Sequence, residues 1–329
     1  MSIPPALAKG LRLPVVAAPM FLTSGPALVS ACCKAGIIGT FPALNQRTTD
    51  GLRTWLSEIE EARAAHEVET GTPAAAYGVN LIVHKSNPRI DADLAACAEA
   101  RVPLIITSLG AVSALVDRVH AYGGVVFHDV TTAKHARKAA EAGVDGLILV
   151  CAGAGGHAGT LNPFALLAEV RQFFTGTILL AGALSTGRDV AAARMLGADF
   201  AYMGTRFIAT QEAYVADLYK QMITEAGASD IVYTPAISSI PANFLRASIV
   251  RSGLDPDKLA MPAGIDLSHI TRPYEKSEHD KKAWKDVWSA GQGVGAIADV
   301  PPAATLIARL KAEFDEASRA FAEQNASFA

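Results

Sequence analysis

The chain has 329 residues, half of them hydrophobic, and a formal net charge of −3. That length can bury a large core in one barrel-sized unit, and the charge, without a long basic tract, argues against nucleic acid as a partner. Gly, Pro or charge interrupts each apolar run before it could span a membrane, the N-terminus lacks a secretory pattern, and cysteines 32, 33, 97 and 151 match neither a disulfide framework nor a zinc site. The expectation is a cytoplasmic protein without a membrane partner.

Strand-like runs appear in order at Leu13 to Met20, Gly36 to Pro42, Ala76 to Ile82 and Val102 to Leu109. They continue at Gly124 to Val130, Asp145 to Val150, Thr177 to Gly182 and Ala198 to Met203. These stretches are nearly continuous in apolar residues, as expected of strands covered on both faces. Helix-length segments separate them, and several end in a glycine that suits a left-handed cap: Gly36, Gly143 and Gly197. The alternation predicts an α/β fold, a (β/α)8 TIM barrel, over residues 1–211. A doubly wound dinucleotide fold is the rival, but Pro19-Met20-Phe21 stands where its glycine fingerprint would follow the first strand.

Residues 212–290 break the rhythm. A helix is expected from Glu212 to Ala226, followed by Pro-punctuated segments and a charged stretch from Arg272 to Lys285, together read as a mostly helical substrate or lid subdomain. Trp284 and Trp288 are four apart and read as packing anchors. Residues 291–329 are expected to return to the barrel through a helix from Ala303 to Ala320.

Barrel active sites lie at the C-terminal ends of strands. That rule collects Pro19, Met20 and Phe21 after strand one, Asn80 on strand three, and His128 and Asp129 on strand five. It adds Ala181, Gly182 and Ala183 after the seventh run, then Met203, Gly204 and Thr205 after the eighth. The most informative segment is Gly153-Ala154-Gly155-Gly156-His157-Ala158-Gly159, which sets a histidine among glycines at the mouth of a buried strand. An imidazole titrates near neutrality, so His157 is the expected catalytic group, as a base or as a donor to substrate. His128 faces the mouth or a core layer according to strand parity, and Asp129 reads as a loop-holding residue. His84, His269 and His279 show no metal-ligand pattern, and no metal is expected. The paired glycine turns at 182–183 and 204–205 can bind a phosphate through backbone amides. The residues alone leave FMN and a sugar phosphate both open.

With Ala18-Pro19-Met20, Ala154-Gly155-Gly156-His157-Ala158-Gly159, Ala181-Gly182-Ala183, Met203-Gly204-Thr205-Arg206-Phe207 and Trp288-Ser289-Ala290-Gly291-Gln292-Gly293-Val294-Gly295 in that order, the chain resembles the nitronate monooxygenase family. The resemblance implies FMN as cofactor. His157 would be the active-site histidine, Gly182 and Gly204-Thr205 the FMN-phosphate loops, and Met20 and Asn80 neighbours of the flavin ring. Gln292 would approach from the far side, and Gly155 and Gly156 would border the cofactor. The implied reaction oxidises an alkyl nitronate or nitroalkane with O2 to a carbonyl compound and nitrite; the helical faces of the chain suit a monomer or homodimer equally. Related barrels include NAD(P)H-dependent flavin reductases acting on quinones or enoyl thioesters. Their quinone branch carries His-Lys where this chain has His128-Asp129. A non-catalytic FMN- or phosphate-binding barrel is the remaining reading.

Overall fold

A computed structural model describes residues 3–84, 86–110, 113–260 and 285–326. His269, His279 and Trp284, and the charged stretch from Arg272 up to Trp284, lie outside the described residues. Eleven strands are described: β1 Val15–Ala17, β2 Ile38–Pro42, β3 Tyr77–Ile82, β4 Leu104–Ser108, β5 Val125–Val130, β6 Gly146–Val150, β7 Gly156–His157, β8 Thr177–Ala181, β9 Phe200–Met203, β10 Ile231–Thr234 and β11 Ala242–Leu245. A closed parallel barrel runs β1-β2-β3-β4-β5-β6-β8-β9, with β9 pairing back onto β1. Each predicted run contains one barrel strand. The first shrinks to three residues because Pro14 and Pro19 bracket it, and proline cannot donate to a ladder.

Alternation along the strands sorts side chains into two layers. Val16, Ile38, Leu104, Ile106, Phe127, Ile148, Leu179 and Phe200 fill the barrel, and Leu7 joins them from the helix Pro5–Ala8. Val79, Leu81, Ile105, Val126, Leu147, Leu149, Ile178 and Leu180 belong to the core beneath the surrounding helices. Fully burying one such side chain contributes about 1.5–3 kcal/mol, so both faces of every strand are committed and the register is fixed. Gly36, Gly143 and Gly197 all take left-handed backbone where helices turn into strands, with φ of 91°, 85° and 106°.

The last described helix, Ala303–Asn325, packs Leu306, Ile307 and Leu310 against the start of the barrel. It crosses closely over the helix Gly187–Leu196: a Cβ at Gly187 would lie 2.0 Å from the Leu310 carbonyl oxygen. Glu313 accepts the Gly187 N–H at 2.6 Å. The expected helix after the barrel is shorter, Asp217–Glu225, because Glu212 instead accepts the Ala303 N–H through its carboxylate.

Over the mouth, the described part of residues 212–290 holds the helices Asp217–Glu225 and Arg246–Arg251 and, between them, a strand pair. Strands β10 and β11 form a hairpin whose second strand pairs antiparallel with β7, giving a sheet in the order β10-β11-β7. Both hairpin strands are only four residues long, too short for a periodicity signal, and the third member is the histidine loop itself. Among the described residues, no helix is long and apolar enough to cross a membrane.

Candidate active site

A cavity of about 880 Å³ opens at the C-terminal end of the barrel, within the usual size range of small-molecule sites. Pro19, Met20, Phe21, Asn80, His128, Gly155, Gly156, His157, Ala181, Gly182, Ala183, Gly204 and Thr205 all line it. Two residues singled out from sequence do not. Met203 is buried in the core with Ala17 and Phe207, and its backbone carbonyl accepts the Ala18 N–H. Gln292 has an exposed side chain, while its backbone N–H donates to the Gly153 carbonyl at 2.9 Å.

Strand parity answers the question left open at strand five. Phe127 lies in the barrel interior, so Asp129, two residues on, shares its face. His128 therefore lies on the helix side, where Nδ1 shares a 2.7 Å hydrogen bond with Thr107 Oγ1. Of the two orientations open from sequence, His128 takes the core-layer one, and it still lines the cavity from the helix side of the strand. Burial pushes its pKa down to about 4, so it is neutral at pH 7.

The inward face carries a polar relay instead. Asn80 Nδ2 donates to Ser108 Oγ at 2.8 Å and to the Ile106 carbonyl at 3.3 Å. The Ser108 hydroxyl donates to Asp129 Oδ2. Burial raises the Asp129 pKa to about 6, partly offset by the Ser108 hydrogen bond. Burial, with the Asp129 charge added, raises the Tyr202 phenol. Sequence reading set Asp129 aside as a loop holder, although Phe127 two positions earlier was an available parity marker.

His157 sits in a tightly held loop. Gly153 and Gly156 adopt φ of 82° and 72°, left-handed values that favour glycine. A Cβ on Gly155 would come within 2.9 Å of both Gly291 N and Thr205 Oγ1. Strand β11 pairs Ala242 with His157 and Asn243 with Gly156. Asn243 Nδ2 donates to the Ala154 carbonyl at 2.7 Å. The Gly156 N–H donates to Ser289 Oγ at 2.6 Å, and that hydroxyl donates to the Asn243 carbonyl at 2.6 Å. Tyr219 donates its phenol to the Ser289 carbonyl and stacks on Trp288 with ring centroids 4.9 Å apart. Trp288 thus serves as a packing anchor for this frame. Sequence reading missed Asn243, Ser289 and Tyr219, which reach the loop only through the hairpin and the 285–291 segment.

The two glycine turns abut this frame, with the Ala183 N–H donating to the Gly153 carbonyl at 3.3 Å. Gly182 and Ala183 are consecutive residues with positive φ, 135° and 55°. Gly204 precedes the short helix Thr205–Ile208 and accepts from Phe207 and Ile208. The N–H groups of Thr205 and Arg206 are first-turn donors, which have no acceptor inside their own helix. The Thr205 hydroxyl accepts the Gly291 N–H at 2.9 Å. A Cβ at Gly204 would meet nothing nearer than Ala18 and Met20 at 3.7 Å, so the protein alone does not require glycine there, whereas a ligand against that backbone would. These features fit a ligand that carries a phosphate. Arg206 is turned away, donating to the Asp299 and Ala209 carbonyls.

A family model described as nitronate monooxygenase matches residues 6–313. A nitronate monooxygenase of Paraburkholderia phytofirmans is 26% identical over 349 residues, covering 93% of each chain. A (3aS,4S,5R,7aS)-5-hydroxy-7a-methyl-1-oxo-octahydro-1H-indene-4-carboxyl-CoA dehydrogenase of Mycobacterium tuberculosis is 32% identical over 252 residues, covering 73% of this chain. That match spans 65% of the dehydrogenase's length. Among solved structures, nitroalkane oxidase from Streptomyces ansochromogenes superposes with a TM-score of 0.76 at 26% identity, covering 96% of this chain and 99% of that one. FabK from Thermotoga maritima, at 24% identity and a TM-score of 0.76, shares the fold over 97% of each chain.

Proposed function

We propose, from the premise that this chain belongs to the nitronate monooxygenase family, that it oxidises alkyl nitronates with O2 to carbonyl compounds and nitrite, using FMN. The family implies an FMN-dependent barrel oxidoreductase. The observation that carries it is the placement of His157, held by β11 and Ser289, on the same cavity as the glycine turns at 182–183 and 204–205.

Bound FMN would supply the electron chemistry and the site for oxygen activation. Gly182, Ala183, Gly204 and Thr205 would hold its phosphate, and Met20 and Asn80 would border its ring. His157 would orient the nitro oxygens by donating a hydrogen bond, or take the α-proton of a neutral nitroalkane at an imidazole nitrogen. The apolar edge of Pro19, Met20 and Phe21 would help exclude water.

One observation favours a second reading, an NAD(P)H-dependent reductase of enoyl thioesters. Thr131, Thr132, His135 and Lys138 also line the cavity, whose volume of about 880 Å³ would take a substrate larger than a small nitronate. The relative named for a carboxyl-CoA substrate accords with it. Anaerobic addition of propyl-2-nitronate or NADH to the purified protein separates the two. Flavin reduction by nitronate, with nitrite released once oxygen is admitted, supports the monooxygenase. Bleaching by NADH without a nitronate response transfers the assignment to the reductase.

A further inference from the structure

Asp129 is the one carboxylate among the described residues lining the cavity. It sits on the inward face of β5, accepts the Ser108 hydroxyl, and feels no cation among the described residues, only burial and that hydrogen bond. We propose that Asp129 sets the charge preference of the barrel mouth: as a carboxylate it disfavours negative charge on whatever is seated there, the reduced flavin ring and anionic substrates included, and as a neutral acid it does not. The inference rests on the FMN reading above for its ligand, not for its residue.

The surroundings leave this charge uncompensated. From β4 and β3 the acid meets Ser108 and Asn80, a hydroxyl and an amide. From β6 its register partner is Ile148. From β9 comes Tyr202, whose phenol is held neutral by burial and by Asp129 itself. His128, on the opposite face of the same strand, is neutral because burial lowers its pKa. His157 lines the cavity from β7, and His135 and Lys138 line it from the helix Ala133–Glu141, none of them paired with Asp129. A carboxyl partly withdrawn from water and lacking a cation has a raised pKa, here about 6. It therefore changes charge within the range where flavoenzymes are assayed, and in a partly desolvated cavity its field reaches a bound ring.

The test is the midpoint potential of the bound flavin in wild type and Asp129→Asn at pH 5 and pH 8. At pH 8 the variant should favour the reduced flavin about tenfold more than wild type, or about 30 mV for a two-electron couple. At pH 5 the gap should close. No gap at pH 8, or an equal gap at both values, overturns the proposal. Asp129→Ser, measured alongside, serves if the asparagine variant does not fold. If the protein neither carries nor takes up FMN, the cofactor reading fails while the Asp129 inference is still decided by infrared spectroscopy of the protein as purified. A protonated-carboxyl band that disappears between pH 5 and pH 8, and is missing in Asp129→Asn, supports it. A carboxylate throughout that range overturns it.

Discussion

The amide of Asn243 donates to the carbonyl of Ala154 at 2.7 Å, from a strand 89 residues further along the chain. This bond ties the hairpin to the loop that carries His157. Asn243 is 3% exposed and Ala154 7%, so neither group can turn to bulk water when its partner is removed. Asn243→Ala should therefore cost about 1–3 kcal/mol. Because backbone pairing of β11 with β7 survives, the loss should fall on the precision of His157 more than on the global fold. Turnover should drop at least tenfold with a modest fall in melting temperature, and unchanged turnover would dissociate Asn243 from the histidine.

Ser289 makes two bonds of 2.6 Å through one hydroxyl, accepting from Gly156 N and donating to the Asn243 carbonyl. Ser289→Ala strands both groups at once. A cost of about 2 kcal/mol is expected from that pair, localised at β7. Amide exchange at Gly156 should accelerate by more than tenfold, while exchange in the barrel strands stays near wild type. Uniform acceleration would mean that Ser289 supports the whole fold rather than this loop.

The barrel was legible because both faces of each strand are buried. A run such as Gly146-Leu147-Ile148-Leu149-Val150 has no polar alternative to offer, and left-handed glycines mark the preceding helix ends. The glycine turns were legible for a related reason, since close backbone approach leaves few other residue choices. Asn243 and Ser289 were not legible, because each acts on backbone far away in sequence through a sheet whose strands are too short to announce themselves. The pair His128 and Asp129 shows a different limit, since both line the cavity but from opposite faces of β5. Residue type favoured the histidine, whereas the strand's alternation, fixed by Phe127, turns the aspartate to the barrel axis.

The same alternation gives Asp129 a measurable effect on stability. Its carboxyl titrates near 3.9 in an unfolded chain and at about 6 in the folded protein. Between those values the folded state retains a proton that the unfolded state has released, so the favourable contribution is complete below pH 4 and is lost as pH rises through 6. The difference is on the order of 2 kcal/mol, reduced because the carboxyl is partly open to the cavity. Asp129→Asn should thus gain stability relative to wild type between pH 4 and pH 8, measured by urea midpoints. The His128 contribution is common to both proteins and cancels. Parallel profiles would show that the acid is ordinary in the folded state.

Two glycines at the cavity make opposite predictions under the same substitution. A Cβ at Gly155 would press on Gly291 N and Thr205 Oγ1 at 2.9 Å, so Gly155→Ala must shift backbone and should destabilise the fold by about 1–3 kcal/mol. A Cβ at Gly204 has 3.7 Å to its nearest neighbours, and the residue's φ of −103° suits any side chain. Gly204→Ala should leave flavin-free stability within about 0.5 kcal/mol of wild type, because the added methyl projects into space the protein does not use. If that space holds the cofactor, FMN affinity measured by fluorescence quenching should fall at least tenfold. A Gly204→Ala protein with wild-type stability and wild-type FMN affinity would remove the 204–205 turn from the cofactor site and leave the 182–183 turn as the phosphate-binding candidate.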